Sequence, residues 1–210
     1  MSIQIIAVEN KPISSISYII YSKKSSNCLI IDPGSENPDE LDRLIIDKNL
    51  KPVYIIFTHE HFDHIWCANY FIYKYDALIA CSEYCFQAIQ NSKLNLSIFY
   101  DIHKAISIKP MKHIIVKEGD MINWEGYKIF IKEAKGHSSG GIIVLLNNCI
   151  FTGDTLIKGI KTVTKLRGAS REKLIETIDY LNTLIGFDYI IFPGHGDSFE
   201  LDDYDLSIAL

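Results

Sequence analysis

The stretch that decides the fold is Thr-His-Glu-His-Phe-Asp-His, at residues 58–64. Directly before it stands the apolar run Val-Tyr-Ile-Ile-Phe, at residues 53–57. Such a short run, rich in β-branched and aromatic side chains, predicts a buried strand. Because open α/β sheets bind ligands in the crevice at the carboxyl ends of their strands, the polar side chains that follow should line a site. Those side chains are three histidines and an aspartate: His59, His61, His64 and Asp63.

This cluster has the chemistry of a metal site. Imidazole nitrogen and carboxylate oxygen are the ligands that divalent first-row metals take in hydrolytic centres. Three imidazoles and a carboxylate this close together are costly to desolvate without a compensating partner. The alternative is a solvated histidine-rich loop with no metal. We therefore predict metal ligation by these four residues.

Four further short motifs follow predicted strands. They are Asp-Pro-Gly at 32–34, Gly-His-Ser at 136–138, Gly-Asp at 153–154 and Pro-Gly-His-Gly at 193–196. With His-x-His-x-Asp-His they resemble, in order and over nearly the whole chain, the pattern of the metallo-β-lactamase superfamily. Five of the seven histidines occupy ligand positions of that pattern.

The resemblance implies a single domain over residues 1–210 with that superfamily's fold, a four-layer αββα sandwich of two mixed β-sheets flanked by helices. Periodicity agrees with two strand-rich halves. Strands are expected at 3–8, 17–21, 28–31, 53–57 and 77–80, and then at 121–124, 127–134, 142–146, 149–151 and 189–192. Helices are expected from residue 37, over 64–75 with Trp66, Tyr70, Phe71 and Tyr75 facing inward, over 82–90 and over 170–184.

The resemblance also implies a ligand set for two divalent ions. The first ion would be held by His59, His61 and His137, the second by Asp63, His64 and His195, and Asp154 would bridge both. A water shared by the two metals would attack the substrate carbonyl, with Asp63 orienting it and Asp154 completing the catalytic pair. Zinc is the expected metal, with iron and manganese as alternatives, because nitrogen and oxygen ligands accept all three.

Asp32 is expected to support the metal centre without touching the ions, by holding a ligand or the loop backbone in place. The alternative is a simple turn aspartate before Pro-Gly. His103 and His113 lie outside every motif and are expected to be surface or loop histidines.

Asp154 bears on the reaction. Members of the superfamily that hydrolyse β-lactams usually carry Cys or Ser at this position, whereas Asp is typical of glyoxalase II (hydroxyacylglutathione hydrolase), persulfide dioxygenases, lactonases and RNA-processing members. The segment at 166–173 is similar to glyoxalase II, but Ile160-Lys161 replaces its usual Gly-Arg. Only fifteen residues follow His195, so that family's C-terminal helical domain is expected to be absent.

We therefore expect a hydrolase of a small thioester or ester. Five basic residues cluster in an otherwise acidic chain, and Lys161 and Arg167 are candidate contacts for an anionic substrate. The cluster comprises Lys158, Lys161, Lys165, Arg167 and Arg171. A solvated surface face is the competing interpretation. Competing functions are a persulfide dioxygenase with one iron, a lactonase, and a metal-binding scaffold without turnover.

Composition narrows the partners. A net charge of −5 argues against general binding to nucleic acid or an anionic membrane, since both require a basic face. Neither a membrane-spanning run nor a signal peptide is evident. The five scattered cysteines form no disulfide or zinc motif, so we expect the cytoplasm. Residues 91–112 have mixed periodicity and are expected to form either a lid over the site or surface packing.

Overall fold

The computed structural model describes residues 3–110 and 112–210, and within them the strands form two six-stranded sheets. The first sheet has the order β1-β2-β3-β4-β5-β6, and the second β12-β11-β10-β9-β8-β7. The first contains β1 (Ile3–Glu9), β2 (Ile16–Ser22), β3 (Asn27–Ile31), β4 (Lys51–Ile56), β5 (Leu78–Cys81) and β6 (His113–Ile115). The second contains β7 (Met121–Trp124), β8 (Tyr127–Glu133), β9 (Ile142–Leu146), β10 (Cys149–Gly153), β11 (Ile190–Pro193) and β12 (Phe199–Glu200).

Both sheets are mixed, as the resemblance implied. In the first sheet β1, β2 and β3 pair antiparallel, and β3 to β6 pair parallel. In the second, β10 and β11 form the parallel pair and the other neighbours are antiparallel. The carboxyl ends of β3 and β4, and likewise those of β10 and β11, therefore point the same way, which places the loops that follow them side by side.

Helices cover the outer faces of both sheets. Their bounds are α1 (Asp39–Asp47), α2 (Phe62–Ile65), α3 (Ala68–Tyr75), α4 (Glu83–Ala88), α5 (Ser97–Tyr100) and α6 (Arg171–Asn182). One buried cluster joins the inner faces of the sheets, for example Ile56 and Phe151. Separate clusters lie under the helices, around Phe71 on the first sheet and Leu174 on the second. This helix–sheet–sheet–helix order confirms the predicted αββα sandwich.

The single helix predicted over residues 64–75 is wrong, because the structure divides it into α2 and α3. The amide of Cys67 donates to the carbonyl of Pro33 at 3.2 Å, which draws the backbone out of the helical pattern at that point. Tyr70, expected to face inward, is 37% exposed. The break leaves α2 as a single turn that carries Asp63 and His64 on a short, separately anchored segment.

Residues 91–110 are better ordered than their mixed periodicity indicated. The buried side chain of Asn95 donates to the carbonyl of Ile106 at 2.9 Å, and α5 begins two residues later. The ring of Tyr100 stacks on that of Phe62, with the ring centroids 5.0 Å apart. Phe62 belongs to the motif at residues 58–64. A lid function for this segment stays a prediction, and residue 111 lies outside the described residues. The short strands β6 and β12 were not anticipated, since three and two residues are too few to show periodicity.

No helix among the described residues has both the length and the apolar character needed to cross a bilayer. All five cysteines are free and buried. Cys81 and Cys85 are fully buried among apolar residues.

A buried carboxylate fastens α1 to α3. Asp42 accepts hydrogen bonds from Tyr70 Oη at 2.8 Å, Lys74 Nζ at 2.6 Å and Tyr75 Oη at 2.6 Å. Burial alone would raise the pKa of this carboxyl, but the three donors more than offset it and hold the pKa below its usual value. The charged form of Asp42 is therefore the one that stabilises the packing of these helices.

Replacing Asp42 by Asn should lower the free energy of unfolding by about 1–2 kcal/mol at pH 7, because charge-assisted bonds are exchanged for neutral ones. The folded-state pKa is depressed, so this stabilisation is complete above the unfolded-state pKa of about 4 and is lost as the pH falls through the folded value. Urea unfolding at pH 7, 5 and 4 measures it. Asp47→Asn, an exposed change on the same helix, should stay within about 0.5 kcal/mol. A D42N deficit that was larger at pH 4 than at pH 7 would contradict this account.

Candidate metal centre

The five motif loops meet at one end of the sandwich, where main-chain hydrogen bonds join them. Ile142 N donates to the carbonyl of Thr58 at 2.8 Å, which links the two sheets. Gly194 N donates to Gly153 O at 2.8 Å, and Ile16 N to Gly194 O at 2.7 Å. The loops are thus held against one another by the backbone, independently of the side chains that they present.

Three histidines form the deeper half of the centre. Nitrogen atoms of His59, His61 and His137 all lie within 4.8 Å of one another, and the three residues are buried. His61 Nδ1 and His137 Nε2 are 2.9 Å apart. Residues 76 positions apart in sequence therefore direct their ring nitrogens at one point.

Asp63, His64 and His195 form the second half, with ligand atoms again within 4.8 Å of one another. His195 Nε2 lies 3.4 Å from Asp63 Oδ2, and His64 Nε2 lies 3.7 Å from the same oxygen. The His195 side chain is 23% exposed, whereas that of His64 is fully buried. Solvent consequently reaches this half of the centre along His195.

The carboxylate of Asp154 lies between the two halves. Its Oδ1 is 3.3 Å from His64 Nε2, and its Oδ2 is 3.6 Å from both His137 Nε2 and His195 Nε2. One residue thus contacts both groups of histidines. The structure brings together all seven residues that the resemblance named as ligands. The two groups of three match the implied ones, and Asp32 forms a further group with His59 and His64.

Four of the histidines are fixed through the ring nitrogen that faces away from the centre. The bonds are His59 Nδ1 to Thr58 Oγ1 (3.1 Å), His64 Nδ1 to Asp32 Oδ2 (3.0 Å), His137 Nδ1 to Val163 O (3.1 Å) and His195 Nδ1 to Ser14 O (3.1 Å). Main-chain and carboxylate oxygens only accept, so Nδ1 carries the proton in the last three. A neutral ring of this tautomer has its lone pair on Nε2, directed into the centre.

Asp32 supports two strand ends at once. Its carboxylate accepts from Thr58 N at 2.8 Å, from Thr58 Oγ1 and from His64 Nδ1, and the residue is only 1% exposed. Since the Thr58 hydroxyl donates to Asp32, its oxygen is left to accept from His59. The carboxylate thereby fixes the loop backbone and orients two rings, which is the placement expected of it from the sequence.

Burial keeps three of the histidines neutral. It lowers the pKa of His61 to about 3 and the pKa of His59 well below the ordinary value, and it also lowers the pKa of His137. Neighbouring imidazoles add to the effect, because a second positive charge is unfavourable there. All three rings therefore hold a free lone pair at neutral pH, as metal ligation requires.

At His64 and Asp154, neighbouring charges outweigh burial and favour the charged form of each side chain. Burial would lower the pKa of His64, yet the carboxylates of Asp154 and Asp63 raise it well above the usual value. Burial would likewise raise the pKa of Asp154, but His64 and the other imidazoles hold it well below its usual range. The carboxylate at the middle of the centre is thus ionised and needs a positive partner.

Unpartnered buried atoms show that a metal fits. Within the described part of the chain, His59 Nε2 is buried without a hydrogen-bond partner. His64 Nε2 and Asp154 Oδ1 are also buried and lie 3.3 Å apart as a charge pair, without hydrogen-bond geometry. Leaving such atoms unsatisfied costs about 1–3 kcal/mol each, more for charged groups. All three face the centre, where a divalent cation bound by nitrogen and oxygen would satisfy them.

Two glycines give the centre its space. A Cβ atom on Gly194 would lie 2.2 Å from Asp154 Oδ1, and one on Gly34 would lie 1.7 Å from the carbonyl oxygen of Asp63. Both distances are far inside van der Waals contact, so no larger residue fits without moving a ligand. Both glycines belong to the short motifs quoted from the sequence, but the space that they give the centre was not predicted.

Other supporting residues gave no signal in the sequence. Ser14 and Val163 act through main-chain oxygens, which every residue possesses, so side-chain chemistry could not identify them. Thr58 was part of the quoted stretch, but its hydroxyl bridge between Asp32 and His59 was not foreseen. Glu60, buried within the motif, was likewise not assigned a role.

The predicted substrate contacts lie on the loop that supports His137. Lys161 Nζ donates to the main-chain oxygen of Leu210, which also accepts from Arg171, and Arg167 is exposed. The structure thus gives Lys161 a partner within the chain, and its contact with substrate stays a prediction. His103 and His113 belong to neither metal-ligand group, and the ring of His113 stacks on Phe86 at 4.1 Å.

Comparison with known proteins adds a family and several relatives. A family model described as the metallo-beta-lactamase superfamily matches residues 11–195. YqgX of Bacillus subtilis, described as a probable metallo-hydrolase, is 28% identical over 188 residues, covering 88% of this chain and 86% of its own. A hydroxyacylglutathione hydrolase of Buchnera aphidicola is 29% identical over 143 residues, which are 68% of this chain and only 47% of that protein.

Two solved structures share the fold. The crystal structure of BLEG-1 B3 metallo-beta-lactamase superposes with a TM-score of 0.86 at 22% identity, covering 94% of both chains. TTHA1623 in a di-iron-bound form superposes with a TM-score of 0.79 at 24% identity, covering 93% of this chain and 94% of that one. At these identities the likeness shows the architecture, in agreement with the two sheets and flanking helices described above.

Asp32→Ala should weaken metal binding about 10- to 100-fold, the usual loss when a residue that orients a ligand is removed. Its absence would free both the His64 ring and the Thr58 loop. Competition with a chromophoric chelator, on protein stripped and reloaded with zinc, measures the affinity. Asp32→Asn keeps the size of the side chain, and its metal affinity should lie between those of wild type and Asp32→Ala. Asp47→Asn should bind metal as tightly as wild type. Unchanged affinity in both folded Asp32 variants would disprove the supporting role.

Proposed function

The chain belongs to the metallo-β-lactamase superfamily, and from that premise we propose that it is a dinuclear metal-dependent hydrolase of small thioesters or esters. Relatives described as metallo-hydrolases and as hydroxyacylglutathione hydrolases support a metal-dependent hydrolase. The dinuclear centre and the thioester or ester substrate are the parts that we propose.

The observation that carries the proposal is the position of Asp154. Its carboxylate reaches His64 on one side and His137 on the other, at 3.3 and 3.6 Å. A carboxylate that contacts two separate groups of metal-ligand type, and that neighbouring imidazoles keep ionised in spite of its burial, is suited to join two cations. The TTHA1623 structure, described as di-iron-bound, supports a two-metal centre in this fold.

In this proposal His59, His61 and His137 would hold one ion, Asp63, His64 and His195 would hold the other, and Asp154 would be the ligand common to both. When bound, the ions supply Lewis acidity and lower the pKa of a coordinated water to about 7. Asp63 and Asp154 are the two more exposed acids of the centre. The ionised Oδ2 of Asp63 lies 3.4 Å from His195 Nε2, where it can accept a hydrogen bond from an attacking water. Zinc is the proposed metal, with iron and manganese as alternatives.

The substrate class rests on two supports. One is the aspartate at position 154, which the resemblance associates with thioester hydrolases and not with β-lactam hydrolysis. The other is the printed activity of the Buchnera relative, a hydroxyacylglutathione hydrolase. Lys161 and Arg167, on the loop next to His137, are the proposed contacts for an anionic group on the substrate. Five free thiols favour a reducing compartment, and we propose the cytoplasm.

The proposal predicts hydrolysis of small acylthiols by zinc-loaded protein, with loss of activity after chelation and recovery on adding zinc. His59→Ala and Asp154→Ala should each lower kcat/KM by about 100-fold or more, because each removes a group that holds or joins the metals. A panel of acylthiols, lactones and phosphodiesters, followed by released thiol or acid, measures it. Elemental analysis of protein purified without chelator counts the metals.

The outcomes separate the alternatives. His113→Ala removes a histidine that lies in neither metal-ligand group and should leave kcat/KM unchanged. Two metals per chain with thioester turnover would support the proposal. One iron per chain with oxygen consumption would overturn it in favour of a persulfide dioxygenase, and full metal loading with no turnover on the panel would favour a scaffold.

Lys161→Ala should raise KM for an anionic thioester about 5- to 10-fold with little change in kcat, because a surface charge that attracts substrate acts equally on ground state and transition state. The effect should shrink for an uncharged thioester of the same acyl group and at high ionic strength. Lys173→Ala, on α6 and paired with Glu176, serves as the control. An unchanged KM for the anionic substrate would remove Lys161 from the binding site.

A further inference from the structure

Glu60 is a buried acid that stands between two histidines of the centre. It lies between His59 and His61 in sequence, and only 1% of its surface is exposed. Among the described residues it belongs to none of the groups able to hold a metal ion. Instead, its Oε2 accepts a hydrogen bond from Ser138 Oγ at 3.1 Å. A buried carboxyl that belongs to no metal-ligand group needs an explanation, because an apolar residue at the same position would avoid the cost of desolvation.

Its partner is the residue that follows another histidine of the centre. Ser138 comes directly after His137, and both are buried. The bond therefore links the loop that carries His59 and His61 to the loop that carries His137. The two loops come from different sheets, because the first follows β4 and the second follows β8.

The turn after Ser138 is shaped to receive this carboxyl. A Cβ atom on Gly140 would lie 2.4 Å from Glu60 Oε2 and 2.9 Å from Cys85 Cβ. Only a residue without a side chain allows the carboxyl and the turn to approach so closely. The buried acid and the glycine therefore both indicate a close contact between the Glu60 carboxyl and the turn at Gly140.

Backbone bonds hold the same turn from other directions. Gly140 O accepts from Ser82 Oγ at 2.7 Å, and Ile142 N donates to Thr58 O at 2.8 Å. These bonds fix the far end of the turn. Glu60 acts at the near end, next to His137, where the distance to His61 is set.

We propose that Glu60 is a positioning residue that, through Ser138 and Gly140, sets the approach of His137 to His61 and thereby the metal affinity of the three-histidine group. The proposal rests on the metal centre and not on the identity of the substrate. His61 Nδ1 and His137 Nε2 are 2.9 Å apart, so a small shift of either loop changes how both nitrogens meet one ion. Metal centres are sensitive to such changes in the groups that orient their ligands.

The test compares Glu60→Ala, Glu60→Gln and Ser138→Ala in protein stripped of metal and titrated with cobalt(II). Glu60→Ala should weaken binding at the three-histidine group about 10- to 100-fold. Glu60→Gln keeps an acceptor for Ser138 and should stay within about threefold of wild type, while Ser138→Ala should lose about 2- to 10-fold, the worth of one ordinary hydrogen bond. The visible absorption of bound cobalt reports the coordination geometry, and it should change in Glu60→Ala and be restored in Glu60→Gln.

A merely structural role predicts a different result. Loss of folding stability that is equal in the apo and metal-bound states leaves the affinity of the folded protein unchanged, so thermal unfolding of apoprotein is measured alongside. Asp42→Ala is the matched control, as a buried acid on the helix layer that should lower stability and leave cobalt affinity and spectrum at wild-type values. The group of Asp63, His64 and His195 should keep its affinity in Glu60→Ala.

Wild-type affinity and spectrum in folded Glu60→Ala would overturn the proposal, as would equal weakening of both groups. If Glu60→Ala does not fold, Ser138→Ala decides, since it removes only the donor, and wild-type cobalt binding in it would overturn the proposal. None of these measurements uses a substrate. Failure of wild-type protein to hydrolyse any thioester would therefore refute the proposed function while leaving the result on Glu60 intact.

Discussion

The rest of the structure depends on one constraint. The histidine and aspartate side chains of the centre are buried together at one end of the sandwich, and they do not satisfy all of one another's hydrogen-bonding groups. Four of the five rings are held from outside the centre, by a carboxylate, a hydroxyl or a main-chain oxygen, and the other nitrogen of each is left for the interior. Asp32 has the largest share, since it fixes His64 directly and His59 through Thr58. The burial of His59, His61 and His137 keeps these three rings neutral, and neutral imidazoles together with ionised carboxylates are what a divalent cation binds.

The residues after β4 themselves indicated the cluster of His59, His61, Asp63 and His64, whereas His137, Asp154 and His195 were assigned as ligands from the resemblance. A parallel strand delivers the residue after it to the same edge of its sheet as its neighbour, so the polar motifs after β3 and β4 lie together, and so do those after β10 and β11. The apolar runs themselves identified the strands, and alternating burial in β8 matches its period of two. The order of the strands within the sheets came from the resemblance. The spacing of apolar residues indicates which segments form strands, but it says much less about which strands pair with each other.

What sequence could not provide depends on contacts between distant main-chain atoms. The helix break at Cys67 arises from a carbonyl at Pro33, and nothing in the local pattern of residues 64–75 marks it. The carbonyls of Ser14 and Val163 orient His195 and His137 through a group that all residues share. Glu60 carried a recognisable side chain but stood among ligands, where its direction, toward Ser138 and away from the metal groups, could only be seen in three dimensions.

The ligands come from both sheets, and this couples metal binding to the fold itself. The loop after β4 belongs to the first sheet, while His137, Asp154 and His195 follow strands of the second. The sheets already share the buried apolar layer around Ile56 and Phe151, which does not depend on metal. An ion held by both loops adds a bond across the open end of that layer, where imidazoles and carboxylates replace apolar contacts. Since ligand bound only by the native state stabilises it by mass action, occupancy should act most strongly on the separation of the two sheets at this end.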